Sequence, residues 1–222
     1  MLRGGAGEQI VTSGLIIHLD AGDSNSYSGS GTTWTDLSGN SNNGTLVNGP
    51  TYISSNGGVF DLDGINDYIS IPNVDLRTNN YTVMGGSRYV TLGGRVISAL
   101  SNNWFLGHQG GDVGKHQAGI GGWVANGQNN ASVNNVRDTN WRIYAATSDY
   151  SSDSWAFYVN GQLENGPNSN GVEGPNGFGI GQKNGGAERS KSQISFLLCY
   201  DRVLTSAEIT QNFNAFKDRF GL

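Results

Sequence analysis

The sequence predicts an all-β fold, a sandwich or barrel of short antiparallel strands closed by one C-terminal amphipathic helix. Three observations carry this expectation. Short apolar segments alternate with period two, which places one face of each strand inward. Glycine- and asparagine-rich turn signals recur about every ten residues, the spacing of sandwiches and barrels. One helical stripe occurs, at the chain end.

The strands are justified in chain order. "GLIIHLDAGD" (Gly14–Asp23) reads as a first strand ending in a polar turn. Ser24–Pro50 is loop-rich but anchored by Trp34, Leu37, Leu46 and Val47, so it reads as an ordered long loop. "GGVFDLDG" and "DYISIP" form two strands around Gly64-Ile65-Asn66-Asp67, with Phe60 and Leu62 on one face and Ile69 and Ile71 on one face of the next. "NYTVMG", "RYVTLGGRVISAL", "NWFLGHQGG" and "AGIGGWVANG" continue the pattern. In "TNWRIYAATSDYSSDSWAFYVNGQLE", Trp141, Ile143 and Ala145 alternate with Arg142, Tyr144 and Ala146, and Trp155, Phe157 and Val159 share a face. Asn160-Gly161 is a two-residue hairpin signal, since both residues accept positive φ. "FGIGQ" and "ISFLLCYDR" are the last strands. The helix is predicted over 206–220. Thr205 and Glu208 form a capping box, Leu204 and Ile209 a hydrophobic staple, and Ile209, Phe213, Phe216 and Phe220 one apolar stripe.

Composition agrees with a packed, turn-rich domain. The 222 residues include 35 glycines, with 36% hydrophobic and 14% charged residues, and 10% aromatics argue against a disordered chain. This length suits one domain, read as 14–222 after an N-terminal arm of residues 1–13. The net charge of −5 comes without a Lys/Arg cluster, which argues against nucleic acid as a partner. No apolar run is long enough for membrane insertion, and "MLRGGAGEQIVTSG" lacks the apolar core of a signal peptide. A single cysteine, Cys199 within "ISFLLCY", excludes an internal disulfide and reads as a buried thiol.

"GLIIHLDAGDSNSY", "WTDLSGNSNNGTLVNGPTY", "FDLDGINDYISI", "FYVNGQL", "FGIGQ" and "CYDRVLTSAEITQNF" occur in the order found in laminin-G-like domains of the concanavalin-A-like lectin/glucanase superfamily. The resemblance covers roughly residues 14–220 and implies a two-sheet antiparallel jelly roll. The Asn/Ser/Gly-rich opening and the closing "LTSAEITQNFNAFKDRFGL" resemble copies in virion proteins of tailed phages. The chain departs from the family at "VMGGSRY", where a tryptophan normally follows, and at "SKSQISFLL", where a Gly and a Glu are common.

The sequence offers residues for four kinds of site. Asp63, Asn66 and Asp67 offer hard oxygens to calcium, or they turn a corner by bonding the backbone. Their spacing completes no coordination shell, so the corner is preferred and no cofactor is assigned. Hydrolysis needs paired carboxylates, and Glu8, Glu164, Glu173, Glu188 and Glu208 lie in no such pattern, while Asp149 and Asp153 flank a turn. The chain is therefore read as non-catalytic. His18, His108 and His116 are scattered and suggest no zinc site. For glycan binding, residues 102–130 supply Trp104, His108, Gln109, Asp112, Trp123 and Asn126 in a glycine-rich setting. Aromatic faces suit sugar rings, but Trp104 and Trp123 equally suit a core.

The expected function is a structural protein of a tailed-phage virion with a lectin-like surface, its partners being other virion proteins, copies of itself and host-surface glycans. A carbohydrate-binding module of a bacterial surface protein and a glycan-cleaving enzyme are the alternatives.

Overall fold

A computed structural model describes residues 9–118, 136–169, 171–183 and 186–222. Along the chain the strands are β1 (Leu15–Asp20), β2 (Thr33–Trp34), β3 (Gly44–Val47), β4 (Thr51–Ile53), β5 (Val59–Asp63), β6 (Tyr68–Asp75), β7 (Tyr81–Tyr89) and β8 (Ile97–Ala99). They continue as β9 (Phe105–Gln109), β10 (Asp112–Gln117), β11 (Arg142–Asp149), β12 (Ser154–Val159), β13 (Gln162–Asn168), β14 (Asn176–Ile180) and β15 (Lys191–Tyr200), followed by α1 (Ser206–Phe216).

The described strands form two antiparallel sheets. The first has the order β13-β12-β11-β7-β15-β5-β4, with β1 also on β15. The second runs β10-β9-β8-β14-β6-β3-β2. The long β15 organises the first sheet. Its first half pairs with β5, its second half with β1, and β7 flanks it on the other side. The expected antiparallel sandwich with one C-terminal helix is therefore the observed fold.

Between the sheets lies the main core, where Phe60, Leu62, Ile69, Ile71, Tyr81, Val83, Tyr144, Trp155, Phe157, Phe178 and Leu197 pack together. Cys199 lies in this core, and burial pushes its thiol pKa up. A second core forms on the outer face of the first sheet, from Met84, Ile143, Ala145, Tyr158, Phe196, Leu198 and Tyr200 under Ile209 and Phe216 of the helix. Strand β11 thus buries both faces, which explains why its alternation reads apolar on both sides.

Helix α1 begins as the sequence predicts. Thr205 Oγ1 accepts the Glu208 N–H and the Glu208 carboxylate accepts the Thr205 N–H. The α-helical part ends at Phe216, and residues Lys217–Arg219 tighten into a 3-10 turn. Arg219 then reaches back to buried Asp20 through two bonds of 2.6 and 2.7 Å.

The glycine pair in "VMGGSRY" has a steric role. A Cβ on Gly86 would stand 2.6 Å from the Phe196 ring and 3.2 Å from Phe220. Phe196 stacks on Phe216 at 3.7 Å between centroids, so the departure from the family pattern makes room for the helix. The Asn160-Gly161 turn takes φ values of 51° and 76° at its two residues, as a two-residue hairpin requires.

Residues 9–13, read from the sequence as the end of an arm, lie under this helix. The Val11 N–H donates to Asn212 Oδ1 (2.8 Å) and the Tyr200 hydroxyl to the Val11 carbonyl (2.9 Å). Asn212 in turn donates to the Tyr200 oxygen at 2.9 Å.

Candidate functional site

The residues expected to bind glycan separate into three groups. Trp104 and His108 are buried between the sheets, and this corrects their assignment. Trp104 is 0% exposed, gives its indole N–H to Tyr81 Oη at 3.1 Å, and has no face left for a sugar. His108 is likewise enclosed, with its ring edge-on to Tyr89 and Tyr144 at 4.6 and 5.1 Å. Burial lowers its pKa to about 3, so it is neutral at pH 7. Gln109 and Asp112 face each other across the Gly110-Gly111 turn, where Asp112 ion-pairs with Lys115 and with Arg137 (3.1 Å). Trp123 and Asn126 lie outside the described residues.

The "FDLDGINDYISI" stretch is built as a corner. Asp63 Oδ1 accepts the backbone N–H groups of Ile65, Asn66 and Asp67 at 2.7, 3.1 and 3.1 Å, which holds its pKa below the usual carboxylate range. An Asp67 oxygen accepts the Asp63 N–H at 3.3 Å. The cation beside this corner is Arg189, which donates to the Asn66 carbonyl at 3.0 Å. Among the described residues no group of three His, Cys, Asp or Glu side chains is placed to hold a metal.

A cleft of about 390 Å³ opens at one rim of the sandwich, lined by Asp75, Arg77, Thr78, Tyr150 and Glu173. Three loops build it. Asp75 ends β6, and Leu76 is pinned by its N–H to the Pro175 carbonyl at 3.0 Å. Arg77 folds back on Asp75 through bonds of 2.9 and 2.7 Å. This pairing lowers the Asp75 pKa. The β11–β12 turn is wound by Asp149, whose Oδ1 accepts from Ser151 and Ser152. Asn80 Oδ1 accepts the Tyr150 N–H at 2.7 Å, tying this turn to the β6–β7 loop. Tyr150 is 42% exposed, an aromatic ring facing water beside two carboxylates.

Glu173 comes from the segment before β14. Its Oε1 accepts from Asn102 Nδ2 at 3.4 Å, while its Oε2 is buried with no partner among the described residues. Burial raises its pKa. Asn102 also donates to the Gly174 carbonyl at 2.9 Å, fixing the segment. The cleft therefore offers a ring face, a guanidinium and two carboxyl groups held in opposite protonation tendencies. A ring face beside a few convergent polar groups is the composition of a small-ligand site.

None of the cleft residues belongs to the sequence-derived glycan set. Asn102 opens the glycine-rich stretch 102–130, and Glu173 stands in the sequence as a lone glutamate. Turn chemistry at Asp149 was legible, but nothing local marks Tyr150 as the exposed ring.

Comparison with solved structures shows the same fold in proteins of low sequence identity. Domain 4 of AbnA, a GH43 extracellular arabinanase from Geobacillus stearothermophilus solved with arabinotriose, superposes with a TM-score of 0.66 at 20% identity. That match covers 90% of this chain and 98% of that one. Trypanosoma rangeli sialidase in complex with 2,3-difluorosialic acid gives a TM-score of 0.67 at 16% identity, over 99% of this chain and 35% of that one. The binding domain of Paraclostridial Mosquitocidal Protein 1 gives 0.65 at 14%, over 91% and 52%. The chain thus spans about a third of the sialidase and about half of the toxin domain. No curated protein sequence matches it. Among the described residues no helix is long and apolar enough to cross a membrane. The profile of the laminin-G family numbered 3 matches residues 63–210, and the chain belongs to this family of the concanavalin A-like lectin/glucanase superfamily.

Proposed function

We propose that the chain is a non-catalytic glycan-binding module, with the rim cleft as its sugar site, and that it serves as a structural component of a tailed-phage virion. The observation that carries the binding role is the exposed Tyr150 ring beside Glu173, whose Oε2 has no partner among the described residues. Sugar C–H groups stack on such a ring while hydroxyls meet Arg77, Asp75 and Glu173. The likeness to a domain solved with arabinotriose supports a neutral oligosaccharide as ligand. The virion setting is supported by the resemblance of the opening and closing segments to phage proteins. Many copies on one particle would raise weak single-site affinity, and the partners are then other virion proteins, further copies and host-surface glycans.

A glycan array followed by calorimetric titration of arabinotriose tests the binding role. Tyr150→Ala and Glu173→Gln are expected to weaken binding at least tenfold. Silence across the array, or unchanged affinity in both variants, would overturn it. The opposite directions of the Asp75 and Glu173 pKa shifts are also the tendency an acid–base pair needs. Release of new reducing ends from the bound glycan would therefore overturn the non-catalytic reading. Immunolabelling of purified particles tests the virion role.

The match that covers nearly all of an arabinanase domain favours a second reading, a carbohydrate-binding module of a bacterial surface protein. Genes for polysaccharide-degrading domains adjoining or fused to this one would decide for it.

A further inference from the structure

A second groove, of about 490 Å³, lies at the opposite end of the first sheet on the face that carries the helix. Strand β7 runs the nine residues from Tyr81, beside the cleft, to Tyr89, so the two sites stand roughly 25–30 Å apart at about 3.3 Å per residue. Its lining includes Arg88, Asn140, Trp141, Arg142, Asn160 and Phe220.

A cross-strand row positions Arg88. Gln193 faces Asp61 on one side and Arg88 on the other. Asp61 Oδ1 accepts from Gln193 Nε2 at 2.6 Å, which orients the amide. Gln193 Oε1 then accepts from Arg88 Nε at 2.9 Å. The guanidinium lies 5.4 Å from the Trp141 ring centroid, and Trp141 stacks on Phe220 at 4.5 Å. Among the described residues Arg88 has no carboxylate partner, and its two terminal nitrogens carry no hydrogen bond. Arg142, by contrast, is neutralised by Asp138 through bonds of 2.7 and 2.9 Å, which lower the Asp138 pKa to about 2. Trp141 is only 8% exposed, and its buried indole N–H has no acceptor among the described residues.

The groove therefore presents one oriented guanidinium fork with no carboxylate partner among the described residues, and two asparagines, with Trp141 in its wall. A planar fork held at Nε and open at both terminal nitrogens matches a carboxylate bidentately. The surrounding amide groups suit hydroxyls. We propose that this groove binds a carboxylate-bearing sugar of the uronic-acid class, with Arg88 taking the carboxylate. The site is independent of the rim cleft, and its ligand carries a charge that the cleft does not require.

Titration of the full chain with methyl β-D-glucuronide, methyl β-D-glucoside and acetate tests this. The glucuronide is expected to bind at least tenfold more tightly than either control, with affinity falling as salt rises. Arg88→Gln is expected to weaken it at least tenfold, and Arg88→Lys, which keeps the charge but loses the fork, severalfold. Equal binding of glucoside and glucuronide would overturn the carboxylate role. Equal binding of acetate would overturn the sugar. Unchanged affinity in both folded variants would overturn the assignment to Arg88. The ligand comparison on the unmodified protein stands even where a variant fails to fold.

Discussion

Trp104 donates its indole N–H to the Tyr81 hydroxyl across the sandwich at 3.1 Å, joining the segment before β9 in one sheet to β7 in the other. Both residues are fully buried. Tyr81→Phe leaves the indole donor without an acceptor in the core, which costs about 1–3 kcal/mol. Denaturant unfolding should show a lower midpoint with an unchanged slope, since the buried surface is conserved.

The buried histidines set an acid limit. His108 and His116 have pKa values lowered by burial to about 3 and about 4, against 6.5 in the unfolded chain. Below pH 6.5 the unfolded state binds protons that the folded state refuses. Stability present above that pH is therefore lost as pH falls from 6.5 toward 4, by about 1.4 kcal/mol per unit per histidine. A Tm profile should fall across this window before the carboxylates titrate. Asp138 and Glu208, held at about 2 by Arg142 and Arg202, add their loss as pH falls from their ordinary range toward 2. A flat profile between pH 6.5 and 4.5 would contradict the placement of these rings.

Arg219 anchors the chain end. It pairs with Asp20, whose side chain is 6% exposed, and stacks over Phe216 at 4.9 Å. Arg219→Ala leaves a buried carboxylate uncompensated and is expected to cost about 3 kcal/mol. Combining it with Asp20→Asn should cost less than the sum of the single changes. Unfolding free energies of the four proteins in the cycle measure the coupling.

Gly86 keeps the helix seated. Gly86→Ala clashes with the Phe196 ring that stacks on Phe216 and is expected to destabilise by about 1–3 kcal/mol, the range for overpacking. Far-UV spectra should stay strand-dominated, while the helix becomes more open to limited proteolysis.

How much of this was legible follows from where each feature's determinants lie. The capping box at Thr205 and Glu208, the Asn160-Gly161 turn and the Asp63 corner are each specified within four residues, and each appears as read. The glycan set failed at Trp104 and His108 because an aromatic beside apolar residues has the same sequence pattern whether it faces a sugar or a core. Only packing against the opposite sheet decides between these, Trp104 against Tyr81 and His108 against Tyr144. The cleft was not legible because Asp75, Tyr150 and Glu173 are remote in sequence and meet only when three loops converge at one rim. The Arg88 groove is hidden for the same reason, since its orienting row crosses β5, β15 and β7.

The knot of hydrogen bonds among Val11, Tyr200 and Asn212 has a mechanical consequence. Tension drawn through the leading segment meets these bonds together with those from Gln211 to the Gln9 carbonyl and from Arg202 to the Ser13 carbonyl. A pull on this segment is therefore expected to load the helix, through Asn212, and β15, through Tyr200, before the more distant strands.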